Sequence, residues 1–164
     1  MVEIKLTLRV GGQITYSAGS WEVVDWDIFD IVGIDYNRRG ETAEKYVSCL
    51  DRYRIGRKPL AVLEVGCCAY EGAAERGDGG FVLLRGTNPD GTGTFENDIV
   101  PTRSEKEQAA YIGTQLELLN KARVDAALIY LFSFPCLAAG KGARNLDMVS
   151  FSLVKTFPWK GSKI

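Results

Sequence analysis

The chain of 164 residues contains no histidine. That absence removes Ser-His and Cys-His nucleophiles and every His-based metal site. Acid–base chemistry is left to Asp, Glu, Tyr, Lys or Cys. The only thiols are Cys49, Cys67, Cys68 and Cys136, and no two form a C-x-x-C pair, which argues against a zinc ribbon or a thioredoxin-type centre. Adjacent cysteines seldom bridge each other, and strand alternation sends Cys67 and Cys68 to opposite faces, so reduced packing thiols are expected. No cofactor and no metal is implied. The formal net charge is −1, so neither nucleic acid nor an anionic membrane is indicated as a partner. No apolar run approaches about eighteen residues, and Glu3 and Lys5 interrupt the apolar start. A single cytoplasmic domain over residues 1–164 is expected.

Four segments read as strands: Gln13–Ser17, Phe29–Tyr36 ("FDIVGIDY"), Leu60–Val65 and Ala126–Phe134 ("AALIYLFSF"). Apolar runs without alternation suit strands covered on both faces, as in parallel sheets. Helices are predicted between them. Glu41–Tyr53 carries Ala43, Tyr46, Val47, Leu50 and Tyr53 at helical spacing, and Ser104–Ala122 opens on the S-x-x-E capping box of Ser104 and Glu107. A helical turn is expected within Trp21–Ile28, and the apolar tail "LDMVSFSLVKTF" reads as a strand or a final helix. The alternation of strand and helix gives an α/β fold. Residues 71–103, rich in Gly, Asp, Asn and Thr, form a long interruption of the kind that is usually functional or disordered.

Polar residues gather at the C-terminal ends of the predicted strands: Tyr16 and Ser17, then Asp35, Tyr36 and Arg38, then Glu64, then Ser133. In parallel α/β folds the loops beyond those ends build the site. Glu64 stands out, because a carboxylate at the end of a buried apolar strand is costly unless paired or hydrogen-bonded. Arg38 and Tyr36 are the expected partners, and a purely structural Glu-Arg or Glu-Tyr contact explains the pattern equally well. "GTNPDGTGTF" imitates a calcium loop but has Gly86 and Asn97 where an EF-hand needs its first ligand and its bidentate Glu.

"KPLAVLEVGC" resembles the seventh-strand motif of retaining (β/α)8-barrel glycoside hydrolases, and "FDIVGIDY" resembles their sixth strand. Together with "SEKEQAAYIGTQLELL", "DAALIYLFSF" and "LDMVSFSLVK", these strings are similar to a bacterial group of barrel proteins sometimes labelled abortive-infection proteins. The likeness runs over residues 11–158. It implies a partial TIM barrel of parallel βα units matching strands five to eight, with carbohydrate as the ligand. Carried over, Glu64 takes the nucleophile position, and Tyr36 or its neighbour Asn37 lies with Arg38 at the end of the sixth strand. Tyr16 and Trp21 follow the fifth strand as sugar-binding groups. Ser133 and Phe134 end the eighth strand, where such hydrolases often carry a tryptophan.

A full barrel needs about 250 residues, and retaining chemistry needs a second carboxyl group roughly 5 Å from the nucleophile. The family's acid/base glutamate comes from the end of the fourth strand, which this match does not include. Glu71, Glu75 and Asp35 are the local candidates for that second group. Open sheet edges imply a homodimer that completes the barrel. Two further readings stand beside the enzyme: a non-catalytic carbohydrate-binding or interaction module, and a truncated barrel without activity. A thiol function through Cys67 or Cys68 is a weaker one, since only Arg, Lys or a helix N-terminus is available to activate the thiol.

Overall fold

Short β-branched and apolar runs set the sheet. In the computed structural model, which describes residues 11–140 and 142–157, the parallel strands are Ser17–Gly19 (β1), Val32–Asp35 (β2) and Leu60–Val65 (β3). A fourth, Ala126–Ile129, pairs with β3 after an excursion holding the two-stranded hairpin Leu84–Thr87 (β4) and Gly93–Phe95 (β5), and is therefore β6. The sheet order is β1-β2-β3-β6 with every pair parallel. This is an α/β partial barrel: successive strands lie side by side and helices cover one face.

Ala43–Leu50 (α1) links β2 to β3. Thr42 caps it, its hydroxyl accepting from Lys45 N at 3.3 Å. A four-residue helix, Ala73–Arg76 (α2), follows β3, and Glu105–Lys121 (α3) leads to β6. Ser104 Oγ accepts from Glu107 N, as the capping box predicts. Glu107 does not return the bond. Its carboxylate accepts from Gly72 N and Ala74 N, both at 3.0 Å, and caps α2 instead. Val32, Ile34, Leu60, Val62 and Val65 bury themselves against Tyr46, Leu50, Leu118 and Leu119 of α1 and α3.

The predicted limits change at several places, and the strand expected over Phe29–Tyr36 is confined to Val32–Asp35. Residues 13–16 are not in the sheet. Ile14 O accepts from Asp30 N at 2.9 Å and Thr15 Oγ1 donates to Ile31 O at 2.9 Å, an irregular tether that delays β1 to Ser17. The turn expected within Trp21–Ile28 is a 3-10 turn at Trp26–Ile28, its carbonyls capped by Lys58 Nζ, 2.6 Å from Trp26 O. β6 stops at Ile129, and its outer residues are exposed, so its apolar run marks an open edge rather than a strand covered on both faces. The tail is neither strand nor helix. One 3-10 turn, Asp147–Val149, precedes a segment whose Leu153 N and Val154 N donate to Leu131 O and Phe132 O at 3.0 and 3.2 Å.

Residues 71–103 are closed at the neck and pack onto a second core shared with other parts of the chain. Ser104 N donates to Ala69 O and Glu71 N to Thr102 O, both at 2.8 Å, so entry and exit lie side by side. Behind the neck, Cys67, Cys68, Tyr70, Phe95, Tyr111 and Met148 form a second buried cluster. Both cysteines lie in it, because β3 ends at Val65 and alternation no longer governs them.

Gly66 follows β3 directly. A Cβ there would stand 2.2 Å from Tyr130 O and 2.8 Å from a ring carbon of Phe151. Backbone atoms cannot swing aside, so Gly66→Ala is expected to destabilise the protein by about 1–3 kcal/mol. Urea denaturation checks this, and an unchanged midpoint refutes it.

Candidate active site at the strand ends

Strict alternation along β3 would turn Glu64 the same way as Leu60 and Val62, into the helix-facing core. It does not point there. Val62 pairs with Ala127 and Val65 with Ile129, so β3 advances three residues while β6 advances two. The extra residue is a bulge. Val65 returns to the helix side, while Leu63 lies against Gly33 on the opposite face and Glu64 enters a cavity beyond the strand ends.

The cavity encloses about 370 Å³. Its polar lining comes from Asp35 at the end of β2, Asn37 two residues on, Glu64, and Asp78 from the excursion. Its apolar wall joins three distant parts of the chain. Phe81 of the excursion and Tyr130 after β6 both meet the tail residue Phe151 edge-on, with ring centroids 6.4 and 6.1 Å apart. Phe134 adds a further ring, and Trp21, 75% exposed, stands at the rim with its own ring folded over Gly19.

Burial raises the Glu64 carboxyl above its ordinary range, and the negative charges of Asp35 and Asp78 add to the rise. Asp35 is also raised by burial. The Ser17 hydroxyl, which donates to its Oδ1, pulls the other way, and Glu22 and Asp78 push it up again. Asp78 forms a two-point ion pair with Arg39. Two carboxyl groups raised in one cavity are the groups there suited to exchanging protons with a ligand.

Of the residues singled out from sequence, Trp21, Asp35, Asn37, Glu64 and Phe134 line this cavity together. The others do not. Tyr36 turns to the helix side, its ring stacked on Tyr46 at 5.1 Å. Arg38 lies over the Tyr111 ring and donates to Glu41 O at 3.1 Å, so neither it nor Tyr36 partners Glu64. Tyr16 is spent on Glu22, to which its hydroxyl donates at 2.9 Å. Ser133 pairs with Thr156 at 2.6 Å behind the wall. Glu71 and Glu75 line a separate depression with Arg76 and Glu96, away from Glu64. Asp78 was not read from sequence, and its only signal there was its place in the glycine-rich excursion. Burial pushes the Cys67 thiol up to about 12 and raises Cys68 too, the opposite of thiolate activation. Among the described residues, no three His, Cys, Asp or Glu groups are disposed to hold a metal ion. Nor is any described helix long and apolar enough to cross a membrane.

No family model matches the chain, and no curated protein matches it. Among solved structures it is similar to a GH113 β-1,4-mannanase determined as a complex. The TM-score is 0.56 at 17% sequence identity, over 84% of this chain and 40% of the mannanase chain. The fold is similar to that of part of the mannanase. At that identity the likeness speaks for architecture alone, and this chain spans well under half of the mannanase. Nothing in the comparisons bears on the abortive-infection group.

The raised Glu64 carboxyl fixes a sign. Between its ordinary and its raised pKa the folded state binds more protons than the unfolded chain, so stability falls as pH rises through that window and stays lower above it. Glu64→Gln removes this cost. The variant is expected to be more stable than wild type at pH 7, by less than about 1 kcal/mol because solvent screens the group. The advantage should vanish as pH falls below the ordinary glutamate range. Thermal melts of both proteins against pH read the difference, and a destabilised variant at pH 7 would contradict it.

Proposed function

We propose that this chain supplies the nucleophile side of a retaining glycoside hydrolase site acting on a β-mannoside. The observation that carries the reading is Glu64, turned by the bulge into a cavity beyond the strand ends of a hydrolase-like sheet. The aromatic wall suits the apolar face of a sugar ring, and the mannanase likeness motivates the choice of mannose.

Ionised Glu64 would attack the anomeric carbon, the carbon–oxygen bond to the leaving group would break, and the departing oxygen would take a proton from an acid. A glycosyl ester on Glu64 results. Water, deprotonated by the same group, then releases the sugar and restores the carboxylate. Asp35 is the local choice for that acid. It lines the same cavity from the neighbouring strand, and retaining chemistry requires the two carboxyl groups to stand roughly 5 Å apart.

A second reading, a carbohydrate-binding module without turnover, rests on the aromatic wall of the cavity, which can hold a sugar ring without any acid group. Activated aryl β-mannosides separate the two, because a good leaving group needs little acid help. The expected result is turnover with trapping of Glu64 by a 2-fluoro-mannosyl fluoride, seen as an added mass on the peptide containing Glu64. Asp35→Asn should cost about 10²–10⁴-fold on alkyl mannosides and far less on activated aryl ones. Sugar binding without any labelling would establish the module instead.

Among the described residues no further strand pairs with β1 or β6, and these edges fit closure by a second copy. Two four-stranded sheets related by a two-fold along the barrel axis give eight parallel strands. Sedimentation equilibrium should then report twice the chain mass, and a strict monomer would rule this closure out.

A further inference from the structure

The last registered pair between β2 and β3 is Ile34 with Val62. Beyond it β3 bulges, and the carbonyl of Glu64 and the N–H of Gly66 are met by a side chain. Asn37 Nδ2 donates to Glu64 O at 2.8 Å, and Asn37 Oδ1 accepts from Gly66 N at 3.2 Å. A main-chain residue in a parallel ladder bonds in the same sense, donating to one carbonyl and accepting from the N–H two residues further on. The primary amide of Asn37 thus imitates one more rung. It does so at 5% exposure, where an unpaired amide would be costly.

We infer that Asn37 is a positioning residue for Glu64: its amide clamps both sides of Val65 and fixes the backbone from which the Glu64 carboxylate enters the cavity. The functional weight of this rests on the reading of Glu64 as the working carboxylate, while the clamp itself does not. Three features make the clamp specific. The amide carries a donor nitrogen and a separate acceptor oxygen on one carbon, which ionised Asp, Ser and Ala lack. The neighbouring backbone has no slack, since Gly66 packs directly on Tyr130 O. The bulge also leaves two ways to turn the strand end, and only one sends Glu64 toward Asp35 and away from the helices.

The test uses two neutral variants, so that no new charge moves the titration. Asn37→Ala and Asn37→Ser are compared with wild type by NMR, reading Gly66 amide exchange and the ¹³C titration of the Glu64 and Glu105 carboxyl groups. In wild type the Gly66 amide should be protected. In the variants its exchange should rise up to about tenfold, the equivalent of one hydrogen bond. The Glu64 titration should fall toward the ordinary glutamate range as the side chain leaves its buried place beside Asp35. Glu105, held below the ordinary range chiefly by Lys155, serves as the control and keeps its wild-type titration. An unprotected Gly66 in wild type overturns the proposal, as does an unmoved Glu64 or a common shift of Glu64 and Glu105. Should Asn37→Ala fail to fold, Asn37→Ser and the wild-type protection still decide. On an aryl mannoside the variants should lose kcat with KM nearly unchanged. Absence of turnover in wild type would sink the hydrolase reading and leave the NMR outcome standing on its own.

Discussion

The arrangement of the site depends on one extra residue in β3. Between Val62 and Val65 the strand takes three steps against two on β6, and that mismatch frees Glu64 from the period of two that governs the rest of the strand. Without it the carboxylate would face Tyr46 and Leu119, in a core with nothing to pair it. With it, Val65 still fills the core while Glu64 meets the cavity. Asn37 and Gly66 are the local conditions of the bulge: one supplies the missing rung, the other gives room for Tyr130 O.

The excursion over residues 71–103 shows how a long insertion completes a site without disturbing its sheet. Its neck is closed by main-chain bonds between 69–71 and 102–104, so the sheet feels little more than a short connection. Its contribution returns at a distance. Glu107 from α3 caps α2, Tyr70 donates to Gly80 O at 2.7 Å, and Asp78 and Phe81 are delivered to the cavity. The Arg39–Asp78 pair and the close approach of Gly77 to Arg38 O tie the excursion to the loop after β2. The residues between β2 and α1 therefore serve both walls at once.

Charge in the cavity follows from the same economy of residue types. With no histidine, carboxylates gather there, and burial raises Glu64 and Asp35, with the charge of Asp78 adding to each rise. Arg39 is committed to Asp78 and Arg38 to the helix layer, so neither neutralises Glu64. The pair that sequence suggested, Glu64 with Arg38 or Tyr36, fails for a geometric reason. Tyr36 is one step from Asp35 and must face the other side of the sheet, and Arg38 follows it there to lie on Tyr111.

The α/β class, β3 over Leu60–Val65, the α3 start at Ser104 and the singular position of Glu64 were all legible in the sequence, because local periodicity and capping dictate them without distant partners. What the sequence left open depends on contacts between parts far apart. β1 began late because Asp30 and Ile31 hold residues 14–15, and β6 ended early where the tail takes over at Leu131 and Phe132. Asp78, Phe81 and Phe151 joined Glu64 only through the folded excursion and tail. Asn37 rather than Tyr36 or Arg38 became the group beside Glu64, since a one-residue bulge changes which side chains share a face and leaves no mark on composition or period. Tertiary pairing, which counts residues on two strands at once, decided that.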